Sequence, residues 1–324
     1  MITLGIESTC DETAAALIDQ NETILSNVIF SQSAYHEQFG GVFPEMASRL
    51  HIEQMIPTIE AALQGKKPDL IAVANRPGLL GGLLMGIVTA EALSYAWNIP
   101  HIGVDHVEAH LYSSMMEAPR LFPSLGLILS GGHTVLVKIT SINEYQVLGK
   151  TVDDAIGESF DKVAAMLGLQ YPGGPLIEKL AVEGDPFRYP FKGGSVKGSP
   201  LNFSFSGLKT NVLYTIQGQK GEKIPPSLQE KKDIAASFQR AAIDDVYDKA
   251  LLAASQFDCQ AIYLGGGVTC NSALKNKFKN SPYPSFFPRQ GLECDNAAMI
   301  AGLGMHLFFK GGAHEILEAY PRML

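Results

Sequence analysis

Two histidines four residues apart, His106 and His110, are the side chains in this sequence best suited to chemistry. On an α-helix they would lie about 40° apart on one face, so both imidazoles could bind a single metal ion. Imidazole nitrogens suit zinc, iron, copper or nickel, and the spacing leaves the metal open. Glu108 would point about 200° away from His106, whereas the general base of zinc peptidases directly follows the first histidine. A helix with two surface histidines is the alternative that the spacing alone leaves open.

Three segments share one design, in which a short apolar strand leads into a turn of small or polar residues. They are residues 2–9, 125–134 and 261–269. Small residues let a ligand approach the backbone and let free N–H groups point at phosphate oxygens. One glycine turn is more often structural, but three at strand ends predict a nucleotide bound between two lobes. The pattern from Thr13 to Ile18 predicts a returning strand, which places Asp11 and Glu12 at a hairpin tip.

Helical spacing of apolar residues fills the gaps between the strands. It predicts helices over residues 44–62, 153–167 and 233–254. Strands that alternate with helices indicate an α/β fold with parallel or mixed sheets. With 324 residues the chain exceeds the size at which one hydrophobic core stops growing, so two lobes are expected.

The composition limits the environment of the protein. The longest apolar run, Leu79 to Ala90, is interrupted by glycines and is too short to cross a bilayer. The chain begins directly in a strand pattern, without the features of a signal peptide. Its four cysteines lack the C-x-x-C spacing, which indicates reduced thiols rather than disulfides or a thiolate zinc site. We therefore expect a cytoplasmic protein.

One basic segment stands out in an acidic chain. The net charge is −8, yet residues 186–232 contain eight basic and two acidic residues, so the remainder carries −14. Such a segment could be a local phosphate-binding surface, and a solvated lysine-rich loop is the alternative. Gly, Pro and Ser residues surround an ordered-looking stretch from Phe203 to Lys209, which indicates an insertion on one lobe.

The motifs coincide with those of one family over essentially the whole chain. The sequence resembles the universal tRNA threonylcarbamoyl-adenosine transferases, called TsaD in bacteria and formerly classed as O-sialoglycoprotein endopeptidases. The matching stretches are residues 5–13, 45–51, 77–79, 106–110, 130–134, 153–162, 171–175, 203–210, 265–271 and 295–299. Several of them are long ordered strings, so coincidence is negligible.

The resemblance implies an α/β fold of the two-lobe actin-like ATPase (ASKHA) class with ribonuclease-H-like halves, and a metal and a nucleotide in the cleft. We place the first lobe at residues 1–116 plus 297–324 and the second at 117–296, with the basic insertion around 186–232. The implied activity is the last step of t6A synthesis, in which threonylcarbamoyl-AMP donates its threonylcarbamoyl group to N6 of adenosine 37 in tRNAs reading ANN codons. In bacteria the family works with a paralogous same-fold partner (TsaB) and a small ATPase (TsaE).

The resemblance also assigns roles to individual residues. By likeness to the family's positions, His106, His110 and Asp295 would hold one Fe2+ per subunit, with zinc as the alternative metal. The substrate would be bound by the loop Leu129, Ser130, Gly131, Gly132 and His133, and at its adenylate part by Asp161, Gly174, Asn271 and an acidic ribose contact, Glu178. Asp295 begins a helical pattern and could instead be an N-cap. The two histidines and the family match favour the role of ligand.

Two residues are candidates for a part in catalysis. Glu12 could orient the site or be a solvated acid of the turn, and His133 could bind a leaving phosphate or a carbonyl or be a plain turn residue. The sequence offers no obvious general base.

Several positions depart from the usual family pattern. Asp105 stands where Asn is usual, Ala109 and Arg76 stand where Gly is usual, and Glu293-Cys294 replaces Cys-Thr before Asp295. None of these changes removes a proposed ligand. Arg76 affects the packing of its loop, and Asp105 adds negative charge near the metal.

Other function classes share some of these features. An actin-fold sugar or acetate kinase would have the three turns but no need of a His-x-x-x-His site. A metallopeptidase would require a carboxylate that faces the metal, which Glu108 does not supply. A non-catalytic subunit related to the family would be expected to lack the two histidines and Asp295, and all three are present.

Overall fold

The computed structural model describes residues 1–217, 226–313 and 316–322. The strands are β1 (Ile2–Glu7), β2 (Glu12–Asp19), β3 (Ile24–Ser31), β4 (Leu70–Arg76), β5 (His101–Asp105), β6 (Ser124–Leu129), β7 (Thr134–Ser141), β8 (Glu144–Lys150), β9 (Ile262–Gly265) and β10 (Ser285–Phe286). The helices are α1 (Ser33–His36), α2 (Pro44–Leu63), α3 (Leu80–Trp97), α4 (His106–Met115), α5 (Ile156–Met166), α6 (Gly173–Ala181), α7 (Ser206–Gln217), α8 (Leu228–Gln256), α9 (Ser272–Lys279) and α10 (Ala297–Gly311). Short 3-10 helices cover Glu37–Phe39 and Gly267–Cys270.

The chain divides into two compact units. Unit 1 contains Met1–Glu117 and Pro288–Leu324, and unit 2 contains Ala118–Phe287. The segment from Pro288 to Asn296, which the sequence assigned to the second lobe, therefore belongs to unit 1. Its contacts explain this, because the hydroxyl of Ser113 donates to the Leu292 carbonyl and the Leu292 side chain packs with Ala14, Ala16 and Ala297.

Unit 1 is built on a five-stranded mixed sheet in the order β3-β2-β1-β4-β5. β1, β2 and β3 form antiparallel hairpins, whereas β4 and β5 run parallel to β1. Parallel neighbours require crossover connections, which α2 and α3 provide. Gly5 of β1 lies against α10 so closely that any Cβ there would collide with the Ala297 carbonyl. This contact fixes α10 on the strand that ends at Glu7.

The helix α3 is longer than the apolar run recognised in the sequence. Its 18 residues are enough, by length and composition alone, to cross a membrane, so the sequence judgement that the run was too short does not hold for the helix. In unit 1, α3 packs on β4 and α2, and Leu83 and Ile87 lie in the core. Its outward face carries exposed Leu80, Leu84 and Val88.

Unit 2 repeats the topology of unit 1. Its sheet has the order β10-β9-β6-β7-β8, with β6, β7 and β8 antiparallel and β9 and β10 parallel to β6. The core contains Phe160, Phe238 and also Phe203 and Phe205, which come from the segment interpreted as an insertion. That segment therefore contributes to the packing of unit 2.

Two helix boundaries differ from the predicted ones for identifiable reasons. α5 starts at Ile156 rather than at residue 153, because the Asp153 carboxylate accepts hydrogen bonds from the backbone of Phe205 and Ser206 instead. α8 starts at Leu228 rather than at residue 233, because Ser227 and Glu230 form a capping box. α2 agrees with its predicted span to within one residue.

Candidate functional site

The predicted pair of histidines lies on α4, which begins immediately after β5. Asp105 is the N-cap of this helix, and its Oδ1 accepts from the backbone N–H of Val107 at 2.9 Å and of Glu108 at 3.0 Å. Both imidazoles are buried, with ring centroids 4.7 Å apart. The alternative of two surface histidines is therefore wrong.

Asp295 precedes α10 and is not its N-cap. That role belongs to Asn296, whose Oδ1 accepts from the Met299 N–H at 3.0 Å. The Asp295 Oδ1 lies 3.0 Å from His110 Nε2 and 3.5 Å from His106 Nε2. One donor atom from each of the three side chains lies within 4.8 Å of the others. Two imidazole nitrogens and one carboxylate oxygen are a donor set that suits zinc or iron.

The charge around His106 is set by its surroundings. Burial lowers the pKa of this imidazole, but the Glu7 carboxylate and then Asp295 raise it, and the balance brings it to about 10. The imidazolium then offsets the negative charge of two carboxylates. A metal cation bound to Nε2 would do so in its place, since a ligating histidine is neutral.

The turn between β1 and β2 brings further acids close to Asp295. Glu12 is the first residue of β2, and its Oε1 accepts from the Ser31 hydroxyl at 3.3 Å. Burial, followed by the charges of Asp295 and Asp11, raises the pKa of Glu12 to about 9. Glu12 is thus partly buried rather than a fully solvated acid of the turn. Burial also raises the pKa of the Cys10 thiol, which makes it a poor nucleophile.

Glu108 lies away from the histidines, as its position on the helix predicts. Burial and then the Asp105 charge raise its pKa to about 8, while Arg76 and Lys310 lower it. Arg76 also lowers the pKa of Asp105, although burial raises that pKa overall. The Arg76 guanidinium lies 5.3 Å from the centre of the Tyr320 ring. The two departures from the family pattern, Arg76 and Asp105, therefore interact with each other.

The predicted substrate loop follows β6 in unit 2. The Ser130 N–H donates to the His133 carbonyl at 2.9 Å, and the His133 N–H donates to the Ser130 hydroxyl at 3.0 Å, so the turn is closed on itself. Gly131 and Gly132 are exposed, and a Cβ at either would meet no atom of the described residues within 4 Å. Leu129 is fully buried in the core, so it offers a ligand its backbone only.

Four residues predicted to bind the adenylate part of the substrate line one cavity of unit 2. Asp161, Gly174, Glu178 and Asn271 line a space of about 170 Å³ together with Gly131 of the loop. They come from α5, α6, the start of α9 and the turn after β6. The Asp161 carboxylate accepts from the Gly173 N–H at 2.8 Å, and burial raises its pKa. The structure therefore brings together residues that lie more than 100 positions apart in the sequence.

Two of these residues also have structural partners that the sequence did not reveal. Asn271 caps α9 by accepting from the Leu274 N–H at 3.0 Å, and its Nδ2 donates to Gln239 at 2.7 Å. Glu178 accepts from the backbone N–H of Ser272 at 2.8 Å and from its hydroxyl. Both side chains are therefore held in place before a ligand binds.

The sequence analysis missed two residues that surround the metal ligands. The Glu7 Oε2 lies 2.8 Å from His106 Nδ1, and the Thr9 hydroxyl lies 3.2 Å from the same nitrogen. It also missed His51, whose Nε2 lies 3.1 Å from the Cys10 carbonyl behind the β1–β2 turn. A signal for Glu7 was present, because it is a charged residue at the end of an otherwise apolar strand.

Solved structures of distant sequence show the fold of the chain. Full-length HypF in a phosphate- and nucleotide-bound form matches with a TM-score of 0.63 at 15% identity, covering 97% of this chain and 56% of that chain. A ROK family protein from Streptococcus pneumoniae in complex with sucrose matches with a TM-score of 0.56 at 12% identity, covering 96% of this chain and 99% of that one. The predicted actin-like ATPase (ASKHA) fold is confirmed.

Sequence relatives give the family within that class. The model of the TsaD family, described as tRNA N6-adenosine threonylcarbamoyltransferase, matches residues 23–302. The enzyme of this name from Protochlamydia amoebophila is 53% identical over 99% of this chain and 97% of its own length. Its counterpart from Bacillus subtilis is 43% identical over 98% of this chain and 94% of its own. The chain belongs to the TsaD family of tRNA N6-adenosine threonylcarbamoyltransferases.

Proposed function

We propose that the chain is the acyltransferase that moves a threonylcarbamoyl group from threonylcarbamoyl-AMP to N6 of adenosine 37 in tRNAs reading ANN codons. The observation that carries this proposal is the end-to-end match with enzymes named for the reaction. A small-molecule kinase of the same fold would leave the cluster of His106, His110 and Asp295 unexplained. In a metallopeptidase the acid within the histidine motif would face the metal as a general base, whereas Glu108 interacts with Asp105 and Arg76.

The adenylate part of the donor fits the cavity of unit 2. Asp161 and Glu178 supply carboxylates for ribose hydroxyls, and Asn271 supplies an amide. Gly174 and Gly131 line the same space and allow a ligand to approach the backbone. The exposed glycines of the turn from Ser130 to His133 leave room for the phosphate or carbonyl oxygens.

His106, His110 and Asp295 hold one Fe2+ in this proposal, and zinc suits the same ligands. The bound metal would supply positive charge to a substrate oxygen and leave coordination positions open for it. Burial of both histidines excludes competing solvent from two of the ligands. Glu12 lies partly buried near Asp295 and would orient the site.

The enzyme's main task in this reaction is to position the donor and the N6 amine. The donor is a mixed anhydride of a carbamate with AMP and is already activated. The N6 amine attacks the carbamoyl carbon, the new C–N bond forms, the C–O bond to phosphate breaks, and AMP leaves while the amine loses a proton. Holding the two reactants together and stabilising negative charge on the carbonyl oxygen are sufficient tasks for the loop and the site.

Partners complete the proposal. The substrate is tRNA, which places the enzyme in the cytoplasm, and we expect a heterodimer with the paralogous same-fold protein (TsaB) and assistance from the small ATPase (TsaE). The exposed apolar residues Leu80, Leu84 and Val88 on α3 form a stripe at helical spacing. We name this stripe the α3 face and assign it to the same-fold partner, because a contiguous exposed apolar surface marks an interaction site.

A reconstitution tests the proposed function. The purified chain is incubated with threonine, bicarbonate, ATP, the threonylcarbamoyl-AMP synthase and unmodified tRNA, and the partner proteins are added one at a time. Nucleoside analysis should show t6A only in the mixture that contains the partners. A complete mixture that forms no t6A overturns the proposal, and full activity of the chain alone overturns the requirement for partners. A parallel casein assay with metal would show proteolysis only if the chain were a peptidase.

A further inference from the structure

Glu7 is a buried acid at the end of β1 that the sequence analysis gave no role. Its side chain is fully buried, and both of its oxygens have partners. Oε1 accepts from the Thr9 N–H at 2.7 Å, and Oε2 lies 2.8 Å from His106 Nδ1. A buried carboxylate is costly unless it is paired and hydrogen-bonded, so this arrangement fixes the position of the acid.

The contact with Glu7 determines which way the His106 ring faces. With Nδ1 directed at Glu7 and the Thr9 hydroxyl, the opposite nitrogen Nε2 lies 3.5 Å from the Asp295 carboxylate. A carboxylate only accepts hydrogen bonds, so Nδ1 carries the proton in this contact. When the imidazole is neutral, Nε2 then has a free lone pair on the side of Asp295 and His110.

The other histidine of the pair is held differently. His110 Nε2 lies 3.0 Å from the Asp295 carboxylate. Its Nδ1 is buried and, within the part of the chain that the structure describes, has no hydrogen-bond partner. Glu7 therefore acts on one of the two imidazoles and leaves the other to be oriented by packing and by the metal itself.

We propose that Glu7 is a positioning residue that holds His106 as the Nε2 ligand of the metal. This inference rests on the metal site of the proposed function. A carboxylate behind a ligating histidine fixes its tautomer and raises its basicity, and the loss of such a partner commonly weakens metal binding by about 10 to 100-fold. Thr9 assists by donating its N–H to Glu7, which keeps the acid directed at the ring.

The test measures the affinity of the purified chain for Zn2+ in competition with a chromophoric chelator. Glu7→Gln keeps the volume of the side chain and removes its charge, and it should weaken Zn2+ binding by about 10 to 100-fold. Glu108→Gln is the matched control, since it removes another buried acid, carried on α4 itself, whose charged neighbours are Asp105, Arg76 and Lys310. This control should bind Zn2+ within about twofold of the parent. Thermal unfolding of both variants without metal verifies that they fold.

His110→Ala separates a failure of the inference from a failure of the metal site. If Glu7→Gln keeps parental affinity while His110→Ala loses Zn2+, the role of Glu7 is wrong and the metal site stands. If both variants keep parental affinity, the metal site is wrong as well. Equal losses in Glu7→Gln and Glu108→Gln would also overturn the inference, because they would show an effect of net charge alone.

A measurement on the unaltered chain removes the dependence on variants. The chain is labelled with 15N-histidine and loaded with 113Cd2+, and couplings between cadmium and the ring nitrogens identify the ligand atoms. We expect coupling to Nε2 of His106 and a protonated Nδ1. Coupling of cadmium to Nδ1 of His106 overturns the inference.

Discussion

At the scale of single residues, two neighbours with similar side chains divide two tasks. Asp295 and Asn296 both stand where a helix begins, and either could accept from its first N–H groups. The structure gives the cap to Asn296 and turns the Asp295 carboxylate toward His106 and His110. An amide oxygen suffices for a cap, whereas the anion is better placed opposite a cation. The charge of each side chain therefore explains why Asn296 caps α10 and Asp295 faces the histidines.

Asn271 caps α9 through its oxygen, holds Gln239 through its Nδ2, and is proposed to contact the adenylate. Asn271→Asp keeps the oxygen that caps α9 but loses the Nδ2 donor and adds negative charge at the cavity. We expect AMP to bind at least about fivefold more weakly, since a lost polar contact is worth about 1 kcal/mol. Calorimetric titration with AMP measures this. Equal affinity in parent and variant would remove Asn271 from the adenylate site, and Glu293→Gln in unit 1 is a control for handling and folding.

At the scale of elements, α7 is held by an acid from a distant loop. The Asp153 carboxylate accepts from the backbone N–H groups of Phe205 and Ser206 and from the hydroxyls of Ser204 and Ser206. These N–H groups lie at the first turn of α7, where an anion also favours the helix dipole. The loop before α5 is thereby tied to the start of α7.

Replacing this acid should reduce stability in a pH-dependent way. Burial raises the pKa of Asp153, but the hydrogen bonds from Ser204 and Ser206 outweigh it and leave the pKa below its usual value. The stabilisation is therefore present above about pH 4, the ordinary pKa of Asp, and is lost as the pH falls through the lowered value. At pH 7, Asp153→Asn should lower the free energy of unfolding, measured by urea titration, by about 1 kcal/mol. This difference from the parent should vanish in acid.

Asp248→Asn is the matched control for this comparison, because Asp248 is an exposed acid on α8. It should leave the urea midpoint unchanged at both pH values. A constant difference between parent and Asp153→Asn down to pH 3 would show that the effect does not come from the charged form of Asp153.

Not every lysine of the basic segment, residues 186–232, is free to contact a phosphate. Lys209 pairs with Asp154 and Lys232 with Glu183, while Lys220 and Lys223 lie outside the described residues. Lys192 and Lys197 are exposed. The role of the segment in binding tRNA remains a prediction, and its test is best made on these two residues.

Reversing both charges, Lys192→Glu with Lys197→Glu, should weaken tRNA binding and lower its dependence on salt. Each phosphate contact contributes about 0.7 to 0.9 to the slope of log affinity against log salt, so the loss of two contacts should lower the slope by up to about 1.8. Lys66→Glu with Lys67→Glu makes the same charge change on exposed residues of unit 1. Parental affinity and slope in the Lys192 and Lys197 variant would place the tRNA surface elsewhere.

At the scale of the whole molecule, one sheet topology occurs twice with different chemistry on each copy. In unit 1 the first strand ends at Glu7, which contacts the proposed metal ligand His106. In unit 2 the equivalent strand ends at the glycine turn after Leu129. Most residues of the central strands β1, β4, β6 and β9 are buried, so the middle of each sheet is a rigid support. The residues proposed to bind the metal and the substrate then lie at the strand ends and on the loops that follow them.

The α3 face gives a prediction about assembly. Leu84→Glu with Val88→Glu adds two charges to exposed apolar positions without changing the buried side of the helix. The variant should keep its fold and its Zn2+ affinity but bind the same-fold partner at least tenfold more weakly in a titration. Leu228→Glu, an exposed leucine of unit 2, is the control. Parental affinity in the double variant would assign the partner to another surface.

The sequence by itself determined the features that depend on local periodicity. Short apolar runs that lead into turns of small residues predicted β1, β6 and β9. The i,i+4 spacing of His106 and His110 put both imidazoles on one face, because this relation follows from the geometry of a helix. The glycines at the strand ends likewise predicted turns, since glycine tolerates backbone conformations and close approaches that other residues do not. Together with the family motifs, these local signals were enough to propose His106, His110 and Asp295 as metal ligands, and the structure brings the three side chains together.

Only the tertiary structure decided which distant side chains meet. His110 and Asp295 are 185 positions apart, Glu7 and His106 are 99 apart, and Asn271 and Gln239 are 32 apart. Such contacts depend on strand register and on the packing of α4 and α10 against the sheet, and no local pattern encodes them. The same holds for charge, because burial and neighbouring acids, rather than residue type, raise the pKa of Glu12 to about 9.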